Sequence, residues 1–167
     1  LEGCAALRLD TRARGDLPIL LVEDASTGPP PGIAKDRLEA LDHIVVRTPN
    51  PDRAAALFGA CLGLDLRLDR TNPAWRSRLL FFRCGDAVIE VAADPAAPVT
   101  DARDAFGGLA WRTRDPDAAH TRLAEAGLDV SEVRDGRKPG SRVFTLRRGL
   151  PGGPSLVIHS KTLEEAA

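Results

Sequence analysis

The chain has 167 residues, of which 43% are hydrophobic and 28% charged, and its formal net charge is -1. This composition is typical of one soluble globular domain, with or without an extension. The net charge argues against sequence-independent nucleic-acid binding, and no apolar run reaches the roughly 20 residues that span a bilayer. Three cysteines without C-x-x-C spacing, and no secretory signal pattern, predict reduced thiols in a cytoplasmic protein.

Residues 1–38 differ in composition from the rest of the chain. Two short strands are predicted there, at 5–9 and 19–22. The run Gly-Pro-Pro-Pro-Gly at 28–32 predicts a linker, because proline neither continues a helix nor donates within a central strand. We interpret residues 1–38 as an N-terminal extension or as the remnant of an upstream module.

A first module begins at Leu41. The β-branched residues at 44–46 predict a strand, and the proline-rich turn at 48–52 ends it. Apolar residues at helical spacing then predict a helix that Gly63 ends, with Asn50 or Asp52 as its N-cap. Three further strands are predicted, and the last two are joined by a hairpin turn; they cover 65–69, 78–84 and 87–92.

A second module repeats this order, with strands predicted at 109–113, 130–134, 142–147 and 155–159 and a helix ending near Ala126. The repeat is visible in the amino-acid sequence. HIVVRTPNPDRA (43–54) and GLAWRTRDPDAA (108–119) share five residues at an offset of 65, and VIE (88–90) aligns with VIH (157–159) at an offset of 69. The predicted fold class is therefore α+β, with tandem βαβββ modules at 41–92 and 108–160.

This arrangement resembles the vicinal oxygen chelate superfamily, which includes glyoxalase I, extradiol dioxygenases, fosfomycin-modifying enzymes, epimerases and bleomycin-binding resistance proteins. The resemblance covers about residues 40–161 and rests on DHIVV, LGLDLRLDR, FFRCGDAVIEVA and the repeated segments. It implies a glyoxalase-like domain at 39–162, whose modules form a cup-shaped, incompletely closed barrel, and a tail at 163–167. It leaves the activity open, because one fold hosts many chemistries.

The resemblance also implies a metal site, since the superfamily binds one divalent metal between the first and last strands of the two modules. The corresponding positions are His43, Glu90, Gly108 and His159. His43, Glu90 and His159 are the implied metal ligands, and Glu90 and His159 the candidate catalytic residues. Two imidazoles and a carboxylate suit Fe, Mn, Zn or Ni, which would act as a Lewis acid. Gly108 has no ligand side chain and argues against glyoxalase I. In metal-free members, His43 and Glu90 could instead hydrogen-bond each other.

Arginine and tryptophan residues are candidates for ligand binding. Arginine binds carboxylate or phosphate through paired hydrogen bonds. The arginines therefore favour a small polar ligand that carries an anionic group. A solvated polar loop is the alternative interpretation of the cationic turn at 136–141. The predicted substrate-binding residues are Trp75, Arg78, Arg112, Arg137 and Lys138.

Two functions follow from the resemblance. The first is a glyoxalase-like or dioxygenase-like protein that binds a small polar metabolite between its modules with a divalent metal; as an enzyme it would be a lyase, isomerase or dioxygenase. The second is a metal-free protein of the bleomycin-resistance type that binds and sequesters a drug or metabolite. The resemblance implies a homodimer in both cases.

Overall fold

The computed structural model describes residues 6–12, 15–22, 37–137, 139–148 and 155–159, without the side chains of Ala6 and His159. The linker predicted at 28–32, the predicted binding residue Lys138 and the tail at 163–167 lie outside this range. The strands are β1 (Ala6–Arg8), β2 (Leu20–Val22), β3 (Ala40–Arg47), β4 (Asp65–Asn72), β5 (Ser77–Cys84), β6 (Ala87–Ala93), β7 (Ala105–Arg112), β8 (Arg134–Asp135), β9 (Arg142–Leu146) and β10 (Ser155–His159).

Each module contains one helix between its first and second strands. The first is the short α1 (Pro51–Ala55), which continues as a π-helix over Ala56–Cys61. The second is α2 (Pro116–Glu125). Asn50 and Asp115 cap the two helices by accepting backbone N–H groups. None of the helices in the described residues is long and apolar enough to span a membrane.

The predicted α+β fold of two βαβββ modules is confirmed, with one strand shorter than expected. The strand predicted at 130–134 is reduced to the two residues of β8, and Val130 forms only an isolated bridge to Leu146. Ser131 explains the difference, since its hydroxyl accepts the backbone N–H of Thr145. A side-chain hydrogen bond to the backbone of this kind competes with a regular strand ladder.

Eight strands form one open sheet in the order β4-β5-β6-β3-β7-β10-β9-β8 within the described residues. The first strands of the modules, β3 and β7, are antiparallel neighbours at the centre, and each pairs in parallel with the last strand of its own module. The register of β3 and β7 contains two bulges, at Asp42 and Gly107, which are related by the same offset of 65 as the repeat. A pseudo-twofold axis therefore passes between Ile44 and Leu109.

Both helices cover the same face of this sheet, and the buried core lies between them and the strands. In the first module the largest fully buried side chains of the strands are Phe82, Leu80 and Val91. In the second module Phe144, Leu146 and Val157 pack under α2. Strand alternation then directs the neighbouring residues to the opposite, concave face of the sheet.

The N-terminal segment packs against the first module. Leu17 is buried in the same core cluster as Phe58 and Phe82, and Ile19 packs beside it. The backbone carbonyl of Gly15 accepts the N–H of Asp104, whose buried carboxylate also accepts hydrogen bonds from Thr48 and Arg53. Gly15 has a φ of 94°, and a Cβ there would overlap this carboxylate, so that glycine is required at the contact.

Candidate functional site

His43 and Glu90 meet on the concave face of the sheet. The parallel register of β3 and β6 places His43 opposite Val88 and Glu90 opposite Val45, so the two side chains are diagonal neighbours on one face. His43 Nε2 lies 3.7 Å from Glu90 Oε2, and the two side chains are 12% and 17% exposed. The first two ligand positions implied by the sequence are thus brought together on the concave face.

Asp42 is a third member of this group. It is the extra residue of the bulge in β3, and bulges redirect side chains beside functional sites. Its Oδ2 lies 2.8 Å from Nδ1 of His43, while its Oδ1 lies 3.7 Å from Nε of Arg112. Arg112 also donates from Nη2 to the backbone carbonyls of Leu41 and Asp86. The guanidinium therefore holds Asp42, and Asp42 orients the imidazole.

This arrangement decides which hydrogen-bonding groups face the cup. When the carboxylate of Asp42 accepts the Nδ1–H of His43, a neutral imidazole carries its lone pair on Nε2. That lone pair and the carboxylate of Glu90 then converge on the same space. Two converging acceptors suit a cation or the O–H or N–H donor of a ligand.

The counterpart of this group in the second module lacks its polar side chains. The backbone N–H of Thr48 donates to the carbonyl of Ala92, and that of Thr113 donates to the carbonyl of Ile158. Because the two threonines are equivalent at an offset of 65, Ala92 and Ile158 are equivalent at an offset of 66. Gly108 and Leu156 therefore occupy the positions of His43 and Glu90. Ala110 pairs with both His43 and Leu156, which places Leu156 on the same face as His43.

The offset of 69, which aligned His159 with Glu90 in the sequence, is thus not the structural correspondence. The Val-Ile pair recurs in both last strands but three residues out of register. The backbone of His159 pairs with Arg142 at the end of β10, and its side chain lies outside the described residues. Its role as a metal ligand or catalytic residue stays a prediction.

Arg78 lies away from the cup, on the helix-covered face. Its guanidinium donates to Asp69 on β4 and to Asp52 in the first turn of α1. The hydrogen bond from Arg78 lowers the pKa of Asp69, and the same hydrogen bond raises the pKa of Arg78. In the second module Arg142 pairs with Asp117 in the same way. The repetition identifies a scaffold contact, so the structure does not bring the predicted binding residue Arg78 to the cup.

Trp75 and Arg137, both predicted to bind substrate, contact each other. The guanidinium carbon of Arg137 lies 4.6 Å from the centroid of the Trp75 ring, within the range of a cation–π interaction. Trp75 stands in a short 3₁₀ turn between β4 and β5, and Arg137 in the turn between β8 and β9. The contact therefore joins the two modules at loops distant in sequence.

Two cavities lie elsewhere, beside the N-terminal segment. One of about 360 Å³ is lined by Arg8, Asp10 and Thr11, among others, and one of about 320 Å³ lies between Leu21 and the π-helix at Leu57. Neither is lined by His43 or Glu90. We place the candidate site at the cup, because ionisable side chains converge there, whereas the cavities are shaped by a hairpin that packs on the module.

Residues 42–145 match the family model of the Glyoxalase/Bleomycin resistance protein/Dioxygenase superfamily. The chain belongs to this superfamily. No curated protein matches the sequence.

Solved structures support the same fold. A methylmalonyl-CoA epimerase from Mycobacterium tuberculosis is 21% identical, with a TM-score of 0.61 over 82% of this chain and 98% of that chain. A hypothetical protein from Bacillus halodurans is 18% identical, with a TM-score of 0.60 over 74% and 95%. The Streptomyces coelicolor methylmalonyl-CoA epimerase, solved with 2-nitronate-propionyl-CoA, is 19% identical, with a TM-score of 0.56 over 75% and 100%.

The metal site expected from the superfamily is half present. His43 Nε2 and Glu90 Oε2 are close enough to share one ion with small side-chain movements, given ligand distances of about 2.1 Å. Gly108 and Leu156 supply no donor at the two equivalent positions. Among the described side chains, no group of three or more His, Cys, Asp or Glu residues is arranged to hold a metal ion.

Proposed function

We propose that the chain binds a small polar metabolite directly in the cup, through the His43–Glu90 pair. The observation that carries the proposal is the convergence of these two acceptors on the concave face, with His43 oriented by Asp42. The equivalent positions of the second module, Gly108 and Leu156, are apolar. A ligand would therefore hydrogen-bond to the first module and pack against the second.

The geometry also limits the ligand. A neutral His43 whose Nδ1–H is donated to Asp42 presents Nε2 as an acceptor beside the carboxylate of Glu90, so this proposal requires a hydroxyl or amine donor as the bound group. A closed barrel of eight strands holds at most one small ligand, and we expect the cup of this open eight-stranded sheet to take a ligand of similar size. Methylmalonyl-CoA, named with a solved epimerase structure, belongs in a binding screen because of the shared fold.

A metal-dependent activity is the second candidate, and the contact between Asp42 and His43 favours it. Histidines that bind metals commonly donate their other ring N–H to a carboxylate, as Nδ1 of His43 does here. His43 and Glu90 would hold the metal. His159 is the third ligand that the resemblance implies, but its position on β10 alternates with that of Leu156 and is in phase with Val157, so the register does not favour it as a ligand in the cup. Fe, Mn, Zn or Ni would supply Lewis-acid chemistry when bound, for a lyase, isomerase or dioxygenase reaction.

A thermal-shift screen of chelator-treated protein, with and without each of these metals, separates the two candidates. Hydroxy acids, diols, α-keto aldehydes and methylmalonyl-CoA form the panel. We expect at least one compound to raise the Tm of the metal-free protein by about 2 °C or more. The same compound should not stabilise Glu90→Gln or His43→Ala, which remove an acceptor.

The control is Glu125→Gln, which neutralises an exposed carboxylate on α2. Stabilisation of this control but not of Glu90→Gln would support the pair as the binding site. Stabilisation only in the presence of metal, together with about one equivalent of metal lost in His43→Ala, would replace direct binding by the second candidate. Equal stabilisation of Glu90→Gln and the control would place the ligand outside the cup.

The oligomeric state, the cellular location and the domain bounds are also proposals. We propose a homodimer in the cytoplasm, with residues 39–162 forming the glyoxalase-like domain. Light scattering coupled to size exclusion measures the dimer directly, and a mass of 17.8 kDa would contradict it.

A further inference from the structure

The turns that carry Trp75 and Arg137 occupy equivalent places in the two modules. Ser77 and Arg78 are the first two residues of β5. Ser141 immediately precedes β9, and Arg142 is its first residue, so the two Ser-Arg pairs correspond at an offset of 64. The turn before β5 contains Trp75, and the turn before β9 contains Arg137. The two turns are thus related by the pseudo-twofold axis of the sheet.

Their contact shows how far the sheet curls. Trp75 follows β4, one edge of the sheet, and Arg137 follows β8, the other edge. Seven strand spacings would separate the two edges by roughly 33 Å in a flat sheet. The 4.6 Å distance between guanidinium and ring therefore requires opposite corners of the sheet to meet. Since α1 and α2 cover the other face, the corners meet over the face that carries His43 and Glu90.

The meeting point lies over the centre of the cup. Two turns related by a twofold axis can touch only near that axis. The axis passes between Ile44 and Leu109, one residue from His43. Trp75 and Arg137 thus stand at the mouth of the cup, above its polar base.

Arg137 differs from the neighbouring arginines in its partner. Arg76, Arg78 and Arg142 are each paired with an aspartate. Within the described residues, no carboxylate is paired with Arg137, and its contact is the half-exposed ring of Trp75. A guanidinium stacked on a ring keeps its N–H edge available for two hydrogen bonds to a carboxylate or phosphate.

We propose that Arg137, held by Trp75, recognises an anionic group of the ligand at the mouth of the cup. This inference rests on the proposed function, in which His43 and Glu90 receive a hydroxyl or amine at the base. Together the two ends define the ligand class: a small molecule with a carboxylate or phosphate at one end and a hydrogen-bond donor at the other. Hydroxy acids have this pattern.

Tryptophan fluorescence tests the proposal, because the chain has two tryptophans. Trp111→Phe leaves Trp75 as the reporter in every protein compared. Quenching by iodide, an anion, is measured beside quenching by neutral acrylamide. We expect Arg137→Gln to lower the iodide quenching constant about threefold, because the local positive potential is lost. Acrylamide quenching should not fall. Arg148→Gln, which removes an exposed arginine outside the turn, is the charge-matched control.

Recognition is then tested with succinate, inorganic phosphate and neutral succinamide, each added to the same reporter protein. Succinate or phosphate should change Trp75 emission, and succinamide should not. The response should weaken at least about fivefold in Arg137→Gln and be partly kept in Arg137→Lys, which retains the charge without the paired donors. A response to succinate alone assigns a carboxylate, and a response to phosphate alone assigns a phosphate.

Two results would overturn the proposal: equal iodide quenching in Arg137→Gln and Arg148→Gln, or equal responses to succinate and succinamide. Failure of this proposal can be distinguished from failure of the proposed function. Glu90→Gln in the Trp111→Phe background should keep the anion response of Trp75 even though it loses ligand binding at the base. Loss of stabilisation by Glu90→Gln with an unchanged response in Arg137→Gln would retain the base site and reject the mouth.

Discussion

The two modules share a scaffold and differ at the site. Each has a helix-capping Asn or Asp, a threonine that donates to its last strand, and an arginine paired with the first helical turn, as in Arg78–Asp52 and Arg142–Asp117. The group formed by Asp42, His43 and Glu90 corresponds to Gly107, Gly108 and Leu156 in the second module. Contacts kept in both copies support the fold, and the positions that differ between the copies carry the side chains of the proposed site.

The largest expected effect tests whether the two halves form one cooperative unit. Phe82→Ala and Phe144→Ala each remove a fully buried ring, one from each module, and each should lower the free energy of unfolding by about 3–5 kcal/mol. Because β3 and β7 join the modules in one sheet, chemical denaturation should give a single transition in both variants. Two separated transitions would show that the modules unfold independently.

A substitution can also make the second module resemble the first. Leu156→Glu places a carboxylate at the position equivalent to Glu90, where it would join His43 and Glu90 as a third ligand. We expect affinity for Zn²⁺ or Mn²⁺ to rise about 10- to 100-fold, measured by equilibrium dialysis. Gly108→His is a poorer choice, since Gly108 has a φ of 138° that favours glycine. Unchanged metal affinity in Leu156→Glu would contradict the structural correspondence.

Asp42 is expected to act as a positioning residue for His43. Asp42→Asn keeps the size of the side chain but can present an amide donor to Nδ1, so it should weaken ligand binding about tenfold. Nitrogen NMR should show a changed tautomer balance of His43, which a purely structural role would not produce. Asp86→Asn, at an exposed hairpin turn, is the matched control, and an equal loss in both variants would remove this role.

The smallest effect concerns the scaffold pairs. Arg78→Ala and Arg142→Ala should each cost about 0.5–1 kcal/mol at neutral pH, since these pairs are partly exposed. Arg78 lowers the pKa of Asp69, so its contribution is present above the unfolded-state pKa of about 3.9 and is lost as pH falls through the lower folded pKa. Chemical denaturation of wild type and Arg78→Ala at neutral and at strongly acidic pH measures the loss of this contribution to the free energy of unfolding. A stability difference between wild type and Arg78→Ala that persists at acidic pH would contradict a pairing of Arg78 with Asp69. Ligand binding should not change in either arginine variant.

Much of the fold was predictable, because it depends on local patterns. The proline-aspartate turns, the caps and the apolar alternation all predicted elements near their observed positions. The shortened β8 was missed, because Ser131 forms a hydrogen bond to Thr145 that spacing does not reveal.

The site was predictable in part. His43 and Glu90 stand out as polar residues in apolar strands, and the structure brings them together. Asp42 was missed, because its contact depends on a bulge that only the register reveals. The correspondence of Leu156 with Glu90 was hidden by a Val-Ile pair that recurs out of register. The scaffold role of Arg78 could be predicted, because a Ser-Arg pair stands at the start of the third strand of each module, and Asp52 matches Asp117 in the repeat.

The most direct test of binding at the His43–Glu90 pair is nitrogen NMR of the histidine side chains in chelator-treated protein. The hydroxy acid that the thermal-shift screen selects is titrated into the sample. We expect the Nε2 resonance of His43 to shift in proportion to ligand occupancy, while the resonances of His120, on α2, do not respond. An unchanged His43 resonance at saturating ligand, or a shift that occurs only after metal is added, would contradict direct binding at the pair.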